Sequence, residues 1–479
     1  MAEELRYEKL AGELAGMIAD GVLACGDRLP SVRRLAEERR LSVSTVVQAL
    51  RQLEDRGLVE ARPQSGYFVR RARAESLALQ LRSTPVTAMP VEISQRIARI
   101  LEDGSRPGVA PLAIAFPANE LLPIAALQRL YAGVARRYPH LLEAGSHGRN
   151  DQPALIRQLV RRSLACGGPL APEEIIITNA CTEALGLCLR AVTRAGDTVA
   201  VESPAYYLML QLLESLGLKA LEIPTDPRTG MSVEALELAS RYGNIAACLI
   251  VSNGSNPLGC VMPEENKRRL AALAAERNIP LIEDDIYGDL YHGNARPWPI
   301  KAFDRSGNVM LCASFSKCLS PALRIGFVAA GRYAEAVGMQ KTLNSGGTNP
   351  MTQMVLAEYL ESNAYERHLR KLRSAYRQQV AALSDAVARY FPAGTRIAQP
   401  QAGYVLWVEL PEGIDTMHCY DRALADGLSY TPGELFSASG MYRNCLRLNG
   451  GNPMTPALED AVRRLGRLFA GELDARPML

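Results

Sequence analysis

Lys317 closes the run Ser314-Phe315-Ser316-Lys317 at the end of an apolar stretch from Met310; Arg324 follows a Ser-Pro break, and a second apolar stretch begins at Ile325. The pattern predicts strand, loop, strand, with the lysine at the rim of a core. An amine there loses water, so its pKa falls and it becomes a nucleophile towards an aldehyde. Ser314 and Arg324 beside it suit a phosphate. An aldehyde joined to a phosphate is pyridoxal 5'-phosphate, PLP. The same residues fit two other readings. One is a serine activated by a lysine, although the Lys-Thr-Gly that accompanies that pair in penicillin-binding proteins is absent from this sequence. The other is a surface lysine after a strand.

Further residues suited to such a ring recur at the ends of predicted strands. Ile175-Ile-Ile-Thr178 runs into Asn179-Ala180-Cys181-Thr182, a strand feeding a helix whose free N–H groups can cradle a phosphate. Tyr206, in Glu202-Ser-Pro-Ala-Tyr206, can stack on a pyridine. Asn256-Pro-Leu-Gly259 is a tight turn offering an amide to a phenolic oxygen. In Glu283-Asp284-Asp285-Ile286-Tyr287, Asp284 can pair with a protonated ring nitrogen and make the ring an electron sink, while Tyr287 can bond the phenolic oxygen. Arg447, inside the apolar run Cys445-Leu-Arg-Leu-Asn449, wants a carboxylate. Each has a structural alternative: Asp284 as a helix cap, Asn256 as a turn former, Arg447 as half of an internal ion pair.

The elements that must position these groups are apolar strands alternating with helical stretches: Ile175 to Thr178, Val199 to Glu202, Ala247 to Val251, Leu281 to Glu283, Val309 to Ser314 and Ile325 to Ala329. This predicts an α/β body with a mainly parallel sheet covered by helices, binding its ligand beyond the strand ends.

The amino-terminal part has a different rhythm. Leu10, Leu14, Met17 and Ile18 predict a first helix that Gly21 and then Gly26 end. Ser31 caps a short helix with Leu35 and Ala36 inward. After a turn at Leu41 to Val43, Ser44 caps a third helix carrying Val46, Ala49, Leu50 and Leu53 inward until Gly57. Leu58 to Ala61 and Tyr67 to Val69 alternate like strands around Pro63-Gln64-Ser65-Gly66. Helix, helix, turn, helix, wing is a form whose third helix enters the DNA major groove, and Ser42, Ser44 and Thr45 at its start can reach phosphates or base edges. The alternative is a small helical interaction domain.

Composition narrows the class. A chain of 479 residues holds two or three domains, and 48% hydrophobic with 22% charged residues is ordinary for a soluble protein. The net charge is only +3, yet Arg28 to Arg73 holds eleven arginines against five acids, an anion-facing patch or a solvated helical surface. Ten cysteines without a Cys-x-x-Cys pair, several inside apolar runs such as Cys188 and Cys312, read as buried free thiols in a reducing compartment. No signal peptide or bilayer-length apolar run is present, so a cytoplasmic protein is expected. No metal-ligand pattern appears.

Two resemblances cover nearly the whole chain. Gly26-Asp-Arg-Leu-Pro-Ser31-Val-Arg33-x-Leu-Ala36, followed by Ser42-x-Ser44-Thr45-Val-x-x-Ala-Leu-x-x-Leu-x-x-x-Gly57, resembles the GntR family of winged helix-turn-helix regulators. The resemblance implies DNA contacts at Arg33, Ser42, Ser44, Thr45 and the wing glycine Gly66; Val43 and Val47 stand where that family often has arginines. From Met89 to Leu465 the order of motifs resembles fold-type I aminotransferases. That implies Lys317 as the residue forming the internal aldimine, Asp284 on the pyridine nitrogen, Asn256 and Tyr287 on the phenolic oxygen, and Tyr206 on the ring face. It also implies phosphate binding by Ser314, Arg324 and the Ala180-Cys181-Thr182 turn, and an amino-acid carboxylate on Arg447. Relatives commonly have Gly-Ser or a glutamine in that turn, where Cys181 weakens the hydroxyl complement, and Gly148-Arg-Asn-Asp-Gln-Pro-Ala-Leu155 is irregular.

Together the two halves resemble the MocR-type (GabR-like) regulators. The expected layout is a GntR-type head over 1–70, a linker over 71–88 holding a short helix around Leu77 to Leu81, and an aminotransferase-like body over 89–479 with a smaller α+β subdomain. The family implies a head-to-tail, domain-swapped homodimer, a double-stranded DNA operator, and a pocket that senses PLP or its aldimine with an amine or amino acid. The competing reading is an active PLP-dependent aminotransferase carrying a DNA-binding head, and whether transamination turns over stays open. A third, an architectural DNA-binding dimer with a vestigial pocket, is disfavoured by the intact PLP set.

Overall fold

Leu10, Ala11, Leu14 and Ile18 fall on one buried face of α1 (Arg6–Ala19), as their helical spacing predicts. The computed structural model describes residues 6–19, 23, 27–55, 58–62, 66–69, 79, 82, 87–143 and 151–474. The chain divides into two compact units, Met1–Ser76 and Leu77–Leu479.

In the first unit, α2 (Val32–Arg39) is capped by Ser31, whose Oγ accepts from the Arg34 N–H at 3.3 Å. A left-handed Arg40 (φ 51°) turns the chain into α3 (Val43–Asp55), which buries Val46, Ala49, Leu50 and Leu53 completely. One expectation is corrected. The helix starts at Val43, so the capping side chain is Ser42, whose Oγ accepts from the Thr45 N–H at 3.1 Å; Ser44 lies inside the first turn. The wing is an antiparallel pair, β1 (Val59–Arg62) and β2 (Gly66–Val69), with Val59 opposite Val69 and Arg62 opposite Gly66. The expected stops at Gly21, Gly26 and Gly57, the tip 63–65, Arg56, Arg70, Arg71 and Arg73 of the basic stretch, Cys25, the linker helix apart from Leu79, and the segment 148–150 lie outside the described residues.

In the second unit the sheet is mixed and mostly parallel. Its strands are β3 (Met89–Pro90), β4 (Ile175–Thr178), β5 (Thr198–Ser203), β6 (Lys219–Asp226), β7 (Gly230–Met231), β8 (Ile245–Ile250), β9 (Leu281–Asp284), β10 (Val309–Ser314) and β11 (Gly326–Ala329). Their order is β3-β6-β5-β8-β9-β10-β11-β4, with β7 beside β6. β6, β5, β8, β9 and β10 run parallel, whereas β11 is antiparallel to both β10 and β4. Successive residues of a strand point to opposite faces, and here both are buried. Val199, Val201 and Leu249 join one core and Ala200, Cys248 and Ile250 another, so helices cover the sheet on both sides.

Helices of this unit include α4 (Ser94–Gly104), α5 (Ile124–Arg137), α6 (Pro153–Ser163), α7 (Ala180–Val192) and α8 (Tyr207–Ser215), of which α7 and α8 supply residues to the site. A smaller antiparallel sheet, β12 (Arg396–Ile397), β13 (Val405–Glu409), β14 (Thr431–Pro432) and β15 (Cys445–Asn449), runs in the order β12-β13-β15-β14 beside the long helices Ala364–Tyr390 and Pro456–Asp474. Among the described residues no helix is long and apolar enough to cross a membrane. All nine cysteines among them are free, and eight are buried.

Candidate functional site

Strand ends and helix starts converge on one cavity of about 220 Å³. Its wall includes Ala180, Cys181, Thr182, Tyr206, Asn256, Asp284, Tyr287, Ser314, Lys317 and Arg324, ten residues singled out in the sequence and spread over 145 positions. The eleventh, Arg447, stands behind Asn256 and is not part of the wall.

At one end lies the start of α7, whose first-turn N–H groups have no acceptor within the helix. Ala180 holds a left-handed backbone (φ 69°), a conformation that costs a non-glycine residue about 1–2 kcal/mol. β11 passes this turn so closely that a Cβ on Gly326 would lie 2.7 Å from the Ala180 carbonyl carbon, so only glycine fits there. Arg324, just before that strand, is exposed and reaches the Asn179 carbonyl through Nη2 at 3.4 Å. Ser314 ends β10 with its Oγ accepting from the Ser316 N–H at 3.4 Å. N–H groups, hydroxyls and a guanidinium at one end make an anion site.

Along the middle, Asp284 is the last residue of β9 and is buried. Its Oδ1 accepts from the Ile286 N–H at 3.0 Å and from the Cys181 thiol at 3.4 Å. Burial pushes its pKa up to about 6, against those two hydrogen bonds, and no cation pairs with it among the described residues. The Tyr287 hydroxyl is buried beside the Tyr404 hydroxyl without a hydrogen bond of good geometry, and burial pushes its pKa up. Asn256 accepts only a long contact, 3.4 Å, from Arg447. Tyr206 immediately precedes α8 and is half-buried at the edge.

Lys317 also lines the cavity. Its Nζ donates to the Ala115 carbonyl at 2.7 Å and lies 5.2 Å from the centre of the Phe116 ring. Burial pulls its pKa down to about 8, helped by Arg447 and opposed by Asp284. Arg447, in β15, is completely buried and has no carboxylate partner among the described residues. Its Nη2 donates to the Thr431 hydroxyl at 2.9 Å and to the Ala113 carbonyl, and its Nε has no acceptor. The internal ion pair allowed by the sequence is therefore not what holds it.

Sequence reasoning missed Ala113, Ala115, Phe116, Tyr404 and Thr431. The first three come from an irregular stretch, Pro111 to Pro117, without periodicity, and two of them act through backbone carbonyls that carry no residue-type signal.

In the first unit, Arg33 is exposed on α2 and makes no ion pair among the described residues, whereas Arg34 pairs with Glu38 at 2.7 Å and Arg39 with Glu13 at 2.8 Å. Ser42, Ser44 and Thr45 share hydroxyl contacts of 2.7–2.8 Å at the start of α3. Gly66 opens the second wing strand with φ 97°. Val43, 53% exposed, is the apolar residue at the tip of α3.

The cavity's donors fit PLP. An anion site, a buried carboxyl without a cation, a buried phenol and an amine with a lowered pKa are what a phosphate, a ring nitrogen, a ring oxygen and an aldehyde require. Residues 147–465 match aminotransferase class I and II, and residues 6–69 match the bacterial regulatory proteins of the gntR family. The chain is 40% identical over 466 residues to the uncharacterized HTH-type transcriptional regulator YjiR of Escherichia coli, covering 96% of this chain and 98% of that one. It is 38% identical over 475 residues to a second from that organism, YdcR, covering 98% and 100%. Its body is similar to the crystal structure of LysN, the alpha-aminoadipate aminotransferase of Thermus thermophilus, complexed with N-(5'-phosphopyridoxyl)-L-leucine; TM-score 0.72, identity 28%, covering 79% of this chain and 95% of that one. This chain belongs to the aminotransferase class I and II family and, with its gntR-family head and full-length likeness to HTH-type transcriptional regulators, to the MocR-type group that joins the two.

Proposed function

We propose that this chain is a PLP-binding transcription regulator whose body senses PLP, alone or together with an amino acid, and whose head binds a double-stranded DNA operator. The observation that carries this is the gathering of Lys317, Asp284, Tyr287 and the α7 turn in one cavity of a chain that also holds a winged helix-turn-helix unit. The layout we propose is a head over 1–70, a linker over 71–88 and a body over 89–479, in a cytoplasmic protein.

PLP supplies an aldehyde that bonds an amine and a ring that draws electrons from what is bonded. The chain's residues do the holding. The Cys181 and Thr182 N–H groups, Ser314 and Arg324 bind the phosphate. Asp284 keeps a proton on the ring nitrogen, Asn256 and Tyr287 hold the phenolic oxygen, and Tyr206 stacks on the ring. Lys317 supplies the amine, and Arg447 binds the carboxylate of an amino acid, since its planar fork is buried without a counter-charge. On DNA, Arg33 contacts a phosphate, Ser42, Ser44, Thr45 and the Gly66 backbone fix the recognition helix, and exposed Val43 suits a thymine methyl. A domain-swapped, head-to-tail homodimer would present two heads to two half-sites.

A footprint on the DNA upstream of the chain's own coding region, with and without PLP and amino acids, tests this reading. Protection that changes with ligand supports it, and no protection of any duplex refutes it. The second reading, an active aminotransferase, rests on the same Lys317 and Asp284; conversion of an amino acid to its keto acid in repeated turnovers would favour it.

A further inference from the structure

The two cations expected to meet an effector, Lys317 and Arg447, are both engaged by one short stretch of backbone. Lys317 Nζ donates to the Ala115 carbonyl at 2.7 Å, and Arg447 Nη2 to the Ala113 carbonyl. The stretch is tied down on both sides. The Ala110 N–H donates to the Gly427 carbonyl and the Ala118 N–H to the Gly451 carbonyl, each at 2.9 Å, and Asn449 Nδ2 holds the Phe116 carbonyl at 3.0 Å. Each of the two carbonyls also has a second, neutral donor. The Thr431 hydroxyl donates to Ala113 O at 2.9 Å, and the Tyr404 hydroxyl to Ala115 O at 3.0 Å. Ala113, Ala115, Tyr404, Thr431, Arg447 and Asn449 are buried, and Lys317 is half-buried.

A carboxylate that grips Arg447 with both oxygens uses Nη2, whether it approaches the end of the fork or its Nε side. Both Nη2 hydrogens are already committed, to Ala113 O and to Thr431 Oγ1. One bond must be given up, and a buried carbonyl left without a donor is costly. Thr431 removes that cost, because its hydroxyl already points at Ala113 O. Tyr404 does the same for Ala115 O when Lys317 leaves it for the cofactor.

We infer that the Ala113 and Ala115 carbonyls are built-in stand-ins that occupy Arg447 and Lys317 until ligand arrives, and that Thr431 and Tyr404 are positioning residues whose hydroxyls keep those carbonyls bonded afterwards. The inference rests on the sensor reading above and assigns each hydroxyl to one ligand group: Thr431 to the carboxylate, Tyr404 to the cofactor attached at Lys317.

The test is a spectral titration of PLP-loaded protein with L-alanine and L-phenylalanine and with their carboxylate-free counterparts, ethylamine and phenethylamine. Thr431→Val should bind the two amino acids about tenfold more weakly than the parent and the two amines equally well, because only the carboxylate disturbs Ala113 O. Thr431→Ser, which keeps the hydroxyl, should restore parent affinity. Tyr404→Phe should weaken PLP itself by a similar factor, measured by equilibrium dialysis, with no added bias against amino acids. Thermal melts of the ligand-free variants separate a folding defect from a binding one, and Thr431→Ala, which also lacks the hydroxyl, carries the comparison if the valine variant is unstable. Equal losses for amino acids and amines in Thr431→Val, or no loss for either, would overturn the role of Thr431. A parent that responds to none of the four ligands would overturn the sensor reading itself.

Discussion

Lys317 should behave as a far better nucleophile at neutral pH than an ordinary lysine. Burial lowers its pKa from 10.5 to about 8, Arg447 adds to the fall, and Asp284 resists it. At pH 7 such an amine is about one-tenth neutral, against about three parts in ten thousand for the ordinary value, an advantage of about 300-fold in reactive form. Mixing ligand-free protein with PLP and following the growth of yellow colour should give an initial rate that rises with pH and levels off above about 8. Arg447→Met removes a cation that favours the neutral amine, so the midpoint should move up. Asp284→Asn removes the anion that favours the charged amine, so it should move down. The same shift acts on stability. The native state binds fewer protons than the unfolded chain between about 8 and 10.5, so this lysine's penalty is full below about 8 and fades as pH rises through that window. A rate that keeps climbing up to 10.5, or midpoints that ignore both substitutions, would refute the electrostatic argument.

Three other outcomes follow from the structure. Borohydride reduction of the PLP-loaded protein and peptide mapping should label Lys317; label on another lysine would remove it from its role. Arg33→Ala should weaken binding to every duplex and lower the salt slope by about one unit per head, with PLP absorbance unchanged; unaltered affinity would return Arg33 to the plain solvated surface. Leu50→Ala empties a fully buried position in α3 and should cost the head about 2–5 kcal/mol, read as loss of helical signal and DNA binding while the body still takes up PLP.

The strands that carry the site were legible because buried strands read as apolar runs, and the functional residues sit where those runs stop. Ser314, Asp284 and Thr178 each end a strand within one residue of the predicted edge. β6 was missed, since Lys219, Glu222 and Pro224 interrupt its apolar residues and hide a strand that β5 and β3 flank. The expected cap, Ser44, lies two residues past the observed one because a serine's type marks a helix start only to within a residue or two; the bond from the Thr45 N–H to Ser42 decides it. The partners of Arg447 and Lys317 were beyond reach for another reason. Ala113 and Ala115 lie more than 200 positions away, and it is their backbone, not their side chains, that bonds.

Whether the pocket governs the head is tested most directly by fluorescence anisotropy on a labelled duplex from upstream of the chain's own coding region. The parent and Lys317→Ala are each titrated alone, with PLP, and with PLP plus an amino acid. A pocket that biases the head must change DNA affinity by the ligand's differential affinity for the two arrangements. The parent should therefore bind the duplex with an affinity that changes when PLP and the amino acid are added, and Lys317→Ala should bind it with the ligand-free parent's affinity under all three conditions. An identical ligand response in Lys317→Ala, or duplex affinity in the parent indifferent to both ligands, would contradict it.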